Sequence, residues 1–452
     1  MRSVLFALVV AGLCGILYGL APSGGAISVA LPYLKATTAL TSAQLSLLVG
    51  ACMVGAVPGG FLAGLLADRF GRRQALLFAA AVFAAGVPVV GFSGADHTLM
   101  MAGFVAEGFG AGVAGVVMPL YLAEVVPADI RGKCTALFQL SMIVGILLSG
   151  LIGVALALGI GAADSESVSS AAKTRCWKWV FLLEGLPALG VLALGFRLAE
   201  SPVWLKKKGM GDEERGTRDD GRETMQTLFQ RRYVIPFVLA VVILICTQTT
   251  GINVILGYSV TIFQAAGLSG AVANGADAFF KFAMLAMTAV ACVLVDRRGR
   301  RFLLELGTLG IIGSLLTAGV VMFGLRGGWI AAGPVSGWLV AGAFSVFISA
   351  FAVGPGVCVW LALTELMPDR IRAVGMSVAL FLNQGVSTAL QSTLLPLTDR
   401  IGYGWLFVGF SAFTVVYWAT VHFFLPETKG RTLEEIESFF TDKNGNTNTK
   451  GS

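Results

Sequence analysis

The sequence predicts an all-α membrane protein of twelve transmembrane helices in two pseudo-symmetric six-helix bundles, and three observations carry that prediction. Of the 452 residues, 56% are hydrophobic and only 13% are charged, against about 25% charged in soluble globular chains. The apolar residues fall into stretches of about 20, the length that crosses a hydrocarbon core roughly 30 Å thick. The same short polar signals recur in the same order in both halves of the chain, the mark of a duplicated unit.

Apolar runs between charged or turn-rich breaks lie at 4–31, 45–66, 75–93, 98–122, 134–160, 177–198, 234–259, 272–295, 302–325, 334–362, 373–396 and 404–425. An even number of spans puts both ends of the chain on one face. Alternate connections hold 24 of the 32 Lys and Arg on that face and 6 on the other, so the positive-inside rule places both termini in the cytosol. The expected setting is an integral, multi-pass protein of a plasma or inner membrane. Residues 1–15 imitate a signal peptide, but the apolar run continues past Leu31 with no cleavage pattern and reads as an uncleaved first span. The expected organisation is a first bundle at 1–199, a cytosolic linker loop at 200–232, a second bundle at 233–425 and a cytosolic tail at 426–452. The linker, with Lys206, Lys207 and Lys208, reads as a solvated charged loop, contact with acidic lipid being the other option.

The net charge of +6 lies in short connections between apolar runs, where it sets orientation and gives no nucleic-acid footprint. Seven cysteines without CxxC spacing suggest neither a disulfide framework nor a zinc site. No cofactor or metal is expected, and His97 and His422 fall at span ends. An integral-membrane enzyme would need a His, Cys or carboxylate constellation that the spans lack.

Asp68-Arg69-Phe70-Gly71-Arg72-Arg73 follows the second span, and Asp296-Arg297-Arg298-Gly299-Arg300-Arg301 follows the eighth. Glu124 and Arg131 follow the fourth span as Glu365 and Arg372 follow the tenth; Glu200-Ser201-Pro202 closes the sixth and Pro426-Glu427-Thr428 the twelfth. The offsets of 228, 241 and 227 residues mean one six-span unit duplicated, an arrangement that suits a rocking transporter with its site at the midplane. In each loop glycine permits a tight reversal, and the charges can pair across a boundary. Asp68, Arg72, Glu124 and Arg131, with Asp296, Arg300, Glu365 and Arg372, are expected to form a cytosolic gate of exchangeable ion pairs, each worth about 0–1 kcal/mol where exposed.

At these residues the chain resembles the major facilitator superfamily, and Pro119-Leu120-Tyr121-Leu122-Ala123-Glu124, Glu200-Ser201-Pro202, Gln248-Thr249-Thr250-Gly251-Ile252-Asn253 and Pro426-Glu427-Thr428-Lys429-Gly430 resemble its sugar porter branch. The resemblance implies a carrier of a hexose, pentose or polyol working by alternating access, with the sugar and the lipid bilayer as its partners; the oligomeric state stays open, a single chain being expected to suffice. A sugar presents hydroxyls that both donate and accept, so side-chain amides suit it; amides inside apolar spans are costly unless paired and mark sites. By that resemblance Gln139, Gln248, Asn253, Trp360 and Asn383 match substrate residues, with Thr247, Tyr258 and Gln384 at neighbouring positions. Gln248 and Asn253 are five residues apart, about 140° around an ideal helix, so one cavity uses both only if the span bends, as Gly251 permits.

The departures are informative. Thr247 stands where the branch has a second glutamine, Gly257 replaces the first of two tyrosines, Met284 and Ala352 fill positions expected to be polar, and Gln384 replaces a tryptophan. Proton-coupled sugar porters resemble one another in a span 1 aspartate paired with a span 4 arginine; here those positions carry Ala21 and Phe104. Losing both together avoids a lone buried charge, so facilitated diffusion is the favoured expectation. Glu107 in span 4 and Glu184 in span 6 keep proton coupling open as the alternative. Asp277 and Lys281, spaced i,i+4, are expected to pair locally at the outer end of span 8. A carrier of organic ions or drugs would need an embedded charge, for which Glu107 is the candidate, and a non-transporting sugar sensor would need a longer tail than the 27 residues after Leu425.

Overall fold

The computed structural model describes residues 2–127, 130–209, 231–359 and 372–426. Trp360 and Glu365 lie outside the described residues, as do the side chains of Arg131, Asp296 and Arg372. Span 1 is α1 (Arg2–Leu20) and α2 (Ile27–Thr37), bent by 58° at a π turn, Pro22–Ala26. Spans 2 to 6 are α3 (Ser42–Phe70), α4 (Arg72–Gly91), α5 (His97–Val125), α6 (Arg131–Gly159) and α7 (Ser170–Gly195). Span 7 is α9 (Arg231–Thr249) and α10 (Ile252–Ala265); spans 8 to 12 are α11 (Gly270–Arg298), α12 (Arg300–Arg326), α13 (Pro334–Val353), α14 (Arg372–Ile401) and α15 (Tyr403–Phe424). Between the halves α8 (Pro202–Gly209) turns part of the expected linker loop into helix.

Among the described residues ten helices are long and apolar enough to cross a bilayer, and the bent first pair brings the number to 11. Span 11 is the least apolar of the long helices although it has 30 residues, because it carries Asn383, Gln384, Ser387, Thr388, Gln391, Ser392 and Thr393. Many helices overrun the apolar runs read from sequence, as Ser42–Phe70 overruns 45–66, since a helix continues into the interfacial zone as long as its backbone bonds do.

The duplication shows in the backbone. Gly71 has φ 100 and ψ 158, and Gly299 has φ 90 and ψ 160, a region almost closed to other residues. Each ends one span and begins the next. Lipid gives no hydrophobic drive to bring helices together, so close approach of small residues does it. Spans 2 and 4 meet along Gly55 and Gly59 against Gly108 and Gly112: a Cβ on Gly108 would lie 1.8 Å from the Cys52 carbonyl oxygen, and one on Gly55 2.0 Å from that of Val105.

The core reveals the state of the molecule. Towards the face opposite the chain ends, one continuous apolar cluster joins Ile27, Val49 and Ile143 of the first half to Ile255, Phe280 and Leu394 of the second. Towards the terminal face the core divides: Val10, Ala67, Val117 and Tyr121 cluster within the first half, and Leu244, Ala291, Leu304 and Tyr417 within the second. Among the described residues the halves are therefore sealed on the far face and packed separately on the terminal face.

Candidate functional site

Span 7 breaks where the sequence suggests it does. Gly251 adopts the left-handed conformation, φ 83, which costs glycine nothing and other residues strain. The break turns the end of α9 and the start of α10 towards the same neighbour, span 11. Asn253 Nδ2 donates to Gln248 Oε1 at 2.8 Å across the break, and Gln248 Nε2 donates to Asn383 Oδ1 at 3.1 Å. Asn383 Nδ2 is anchored on the Leu244 carbonyl at 2.7 Å.

Span 11 extends this row. Asn383, Ser387 and Gln391 recur every four residues and share one helix face. Ser387 Oγ accepts from Asn253 Nδ2 at 2.9 Å and from Gln391 Nε2 at 3.2 Å. Gln391 is completely buried, yet its Oε1 has no hydrogen-bond partner. An unpaired buried acceptor costs about 1–3 kcal/mol, so this oxygen is suited to a ligand donor. Gln248 and Asn253 are only half-buried. The cluster thus offers donors and acceptors at the seam of the two halves, as a polyhydroxylated ligand requires.

The other expected site residues are placed differently. Thr247 Oγ1 bonds the Ile243 carbonyl at 2.9 Å and the Tyr417 hydroxyl at 3.2 Å, both inside the second half. Tyr258, fully buried, donates to the Gln391 carbonyl at 2.8 Å and contacts Ser46 Oγ at 3.2 Å, so it belongs to the far-face seal in this state. Gln384 Nε2 meets Met53 Sδ at 3.6 Å across the halves. Gln139 is half-buried on span 5. Ser387 was missed by sequence reasoning; its signal was the four-residue spacing from Asn383.

The terminal-face network forms within the first half. Arg72, with 3% of its side chain exposed, makes a two-pronged bond to Glu124, Nη2 to Oε1 at 2.7 Å and Nε to Oε2 at 2.8 Å. Its Nη1 reaches Asp68 Oδ1 at 2.9 Å. Glu200 accepts from the backbone N–H groups of Arg72 and Arg73, a carboxylate at a helix N-terminus. Ser201 Oγ donates to Glu124, and Trp204 Nε1 to the Asp68 carbonyl at 2.8 Å, so α8 is docked on this network. In the second half Arg300 Nε is buried at the start of span 9, the counterpart of Arg72, and it too has an interaction partner.

Glu107 and Glu184 lie on parallel spans, one turn on from the touching rings of Phe104 and Phe181, 5.1 Å apart. Both are fully buried, and none of their four carboxyl oxygens has a hydrogen-bond partner. Ala21 and Phe104 are also fully buried.

The structure corrects the expectation for Asp277 and Lys281. They do pair, Nζ to Oδ2 at 2.8 Å, but neither side chain is exposed at all. Lys281 stands eleven residues into α11, about 16 Å along the helix and far from its outer end. It also bonds the first half, reaching Gly25, Ser28 and Ser149. Sequence spacing shows the i,i+4 pair but not what a neighbouring helix brings to it.

A family model described as "Sugar (and other) transporter" matches residues 26–440. The chain belongs to the sugar (and other) transporter family. Among curated relatives it is 31% identical to the putative metabolite transport protein YwtG of Bacillus subtilis, over 95% of this chain and 94% of the relative. It is 30% identical to the glucose transporter GlcP of Staphylococcus epidermidis, over 97% of both chains, and 29% identical to the D-xylose-proton symporter of Escherichia coli, over 87% and 85%. The inward open structure of the E. coli xylose transporter XylE superposes with a TM-score of 0.79 at 24% identity, covering 96% of this chain and 99% of that one. XylE bound to 6-bromo-6-deoxy-D-glucose gives 0.74 at 25% identity, covering 97% and 99%. This family member is therefore an integral membrane transporter of the twelve-helix major facilitator fold, and not an enzyme.

Proposed function

We propose that the protein carries a monosaccharide across the membrane by alternating access, with Gln248, Asn253, Asn383 and Gln391 holding the sugar hydroxyls. The observation that supports this most is the amide and hydroxyl row across the break in span 7, where half-buried donors stand beside the unpaired acceptor of Gln391. Relatives named for xylose and for glucose support the substrate class, a pentose or hexose. The closed far face and divided terminal face fit one end state of the cycle. The favoured mode is facilitated diffusion, since the buried Ala21 and Phe104 leave no ion pair between spans 1 and 4.

Proton symport is the second reading, and the buried carboxyls favour it. Among the described residues no donor bonds either carboxyl, so an ionised Glu107 or Glu184 would be uncompensated; a proton carried with the substrate would relieve that. Proteoliposomes separate the two readings. Uptake of radiolabelled xylose or glucose is expected to equilibrate and stop, with an imposed inward proton gradient leaving the final level unchanged. Accumulation above the outside concentration, lost in Glu107→Gln, would replace facilitated diffusion by symport, and no uptake of any sugar in a panel would overturn the substrate class.

The terminal face, richer in Lys and Arg, is read as cytosolic. A cysteine at Gly216 is expected to resist a membrane-impermeant thiol reagent on intact cells, whereas one at the exposed Ser167 on the far face should react. The reverse pattern would invert the orientation.

A further inference from the structure

Lys281 is a buried cation held mostly by the opposite half of the molecule. Its Nζ lies 2.8 Å from Asp277 Oδ2, one turn away in the same span, and the other three acceptors belong to the first half: Ser28 Oγ at 3.0 Å, Ser149 Oγ at 3.0 Å and the Gly25 carbonyl at 3.1 Å. An ammonium has three protons to give and no lone pair, so these contacts satisfy it fully. The two hydroxyls are oriented for the task. Ser28 sends its own proton to the Gly25 carbonyl at 2.7 Å and Ser149 sends its proton to the Ile146 carbonyl at 2.6 Å, leaving their lone pairs to Lys281. Asp277 Oδ1 accepts from Ser259 Oγ of span 7. One ion pair thus ties span 8 to span 7 in its own half and to spans 1 and 5 in the other.

The tie exists only while the far face is closed. Gly150 of span 5 lies so close to span 8 that a Cβ there would be 3.0 Å from the Ala278 Cα and 3.2 Å from the Lys281 Cδ. Parting the halves on this face must break the bonds to Gly25, Ser28 and Ser149 and leave those to Asp277 and Ser259 in place. A charge that stays paired inside one half while its other partners come and go is suited to reversible closure, because neither state leaves it alone in an apolar setting.

We propose that Asp277 and Lys281 form the latch of the far-face closure, so that the cross-half bonds of Lys281 set the balance between the two access states. The proposal rests on alternating access but not on the identity of the substrate, and it is tested without substrate. Ser392 lies in the closed seam, its Oγ 1.9 Å from where a Cβ on Gly50 would stand. In Ser392→Cys protein whose exposed native Cys292 is replaced by alanine, purified in mild detergent, the rate of maleimide labelling at residue 392, read by peptide mass, reports opening of the far face whatever the membrane orientation.

Lys281→Met alone strands Asp277 and can fail to fold, so the decisive variant is Asp277→Asn/Lys281→Met, which removes both charges. Its labelling rate is expected to rise at least tenfold, since three cross-half bonds are lost and one charged hydrogen bond alone is worth about that factor. Ser28→Ala/Ser149→Ala keeps the ion pair and removes two cross-half acceptors, and should raise the rate in the same direction. Ser259→Ala, which acts within the second half, should leave it within about twofold. An unchanged rate in both double variants, each eluting as a folded monodisperse species, would overturn the latch, as would an equal rise in Ser259→Ala. Absence of sugar uptake by the unaltered protein, with these labelling shifts intact in the variants, would leave the latch standing and fault only the substrate reading.

Discussion

Gln248→Ala is expected to raise the apparent KM for sugar at least tenfold while the protein still reaches the membrane in normal amount. Gln248 is the centre of the row: it accepts from Asn253 at 2.8 Å and donates to Asn383 at 3.1 Å, and a second Nε2 proton is available to a ligand. Truncation removes that direct contact, about 1–1.5 kcal/mol. It also releases Asn253, whose position across the span 7 break depends on Gln248 and Ser387. Asn253→Ala should act comparably, and Gln384→Ala less, since Gln384 touches Met53 instead of the row. Initial uptake rates against sugar concentration, normalised to surface protein, check this. Unchanged KM in both span 7 variants would remove the row from the binding site.

Arg72→Ala is expected to lower the thermal unfolding midpoint of detergent-solubilised protein by several degrees. Arg72 and Glu124 have 3% and 11% of their side chains exposed, and removing one member of a buried pair costs about 3–5 kcal/mol because the other charge stays behind. The bond to Asp68 contributes little of this, since Asp68 is 70% exposed and exposed pairs are worth about 0–1 kcal/mol. Asp68→Asn should therefore be nearly silent in stability. Arg72→Lys should recover less than half of the loss, because a point charge does not reproduce the two-pronged geometry. A midpoint unmoved in Arg72→Ala would mean that α8 and Glu200 hold this corner without the guanidinium.

The sequence alone determined the number and order of spans and the duplication, and it marked the amides from which the proposed site is built. Those properties are local: a run of apolar residues must form helix in lipid because no other partner exists for its backbone, and an amide inside such a run stands out against it. Gly71, Gly299 and Gly251 were legible for the same reason, since each positive φ is a demand on one residue. Tertiary structure decided what depends on a second helix. Spacing showed that Asp277 and Lys281 can pair, but only the approach of Gly25, Ser28 and Ser149 makes the pair a bridge between halves. Arg72 and Glu124 carried the mark of a charge network, yet their bond falls within one half, because Glu200 and α8 close around them. Tyr258 and Thr247 matched site positions by register, and packing turned their hydroxyls to Gln391, Ser46 and Tyr417. Which side of the molecule is closed also escaped the sequence: the same residues serve both states, and only the division of the core between Tyr121 and Tyr417 records which one is formed.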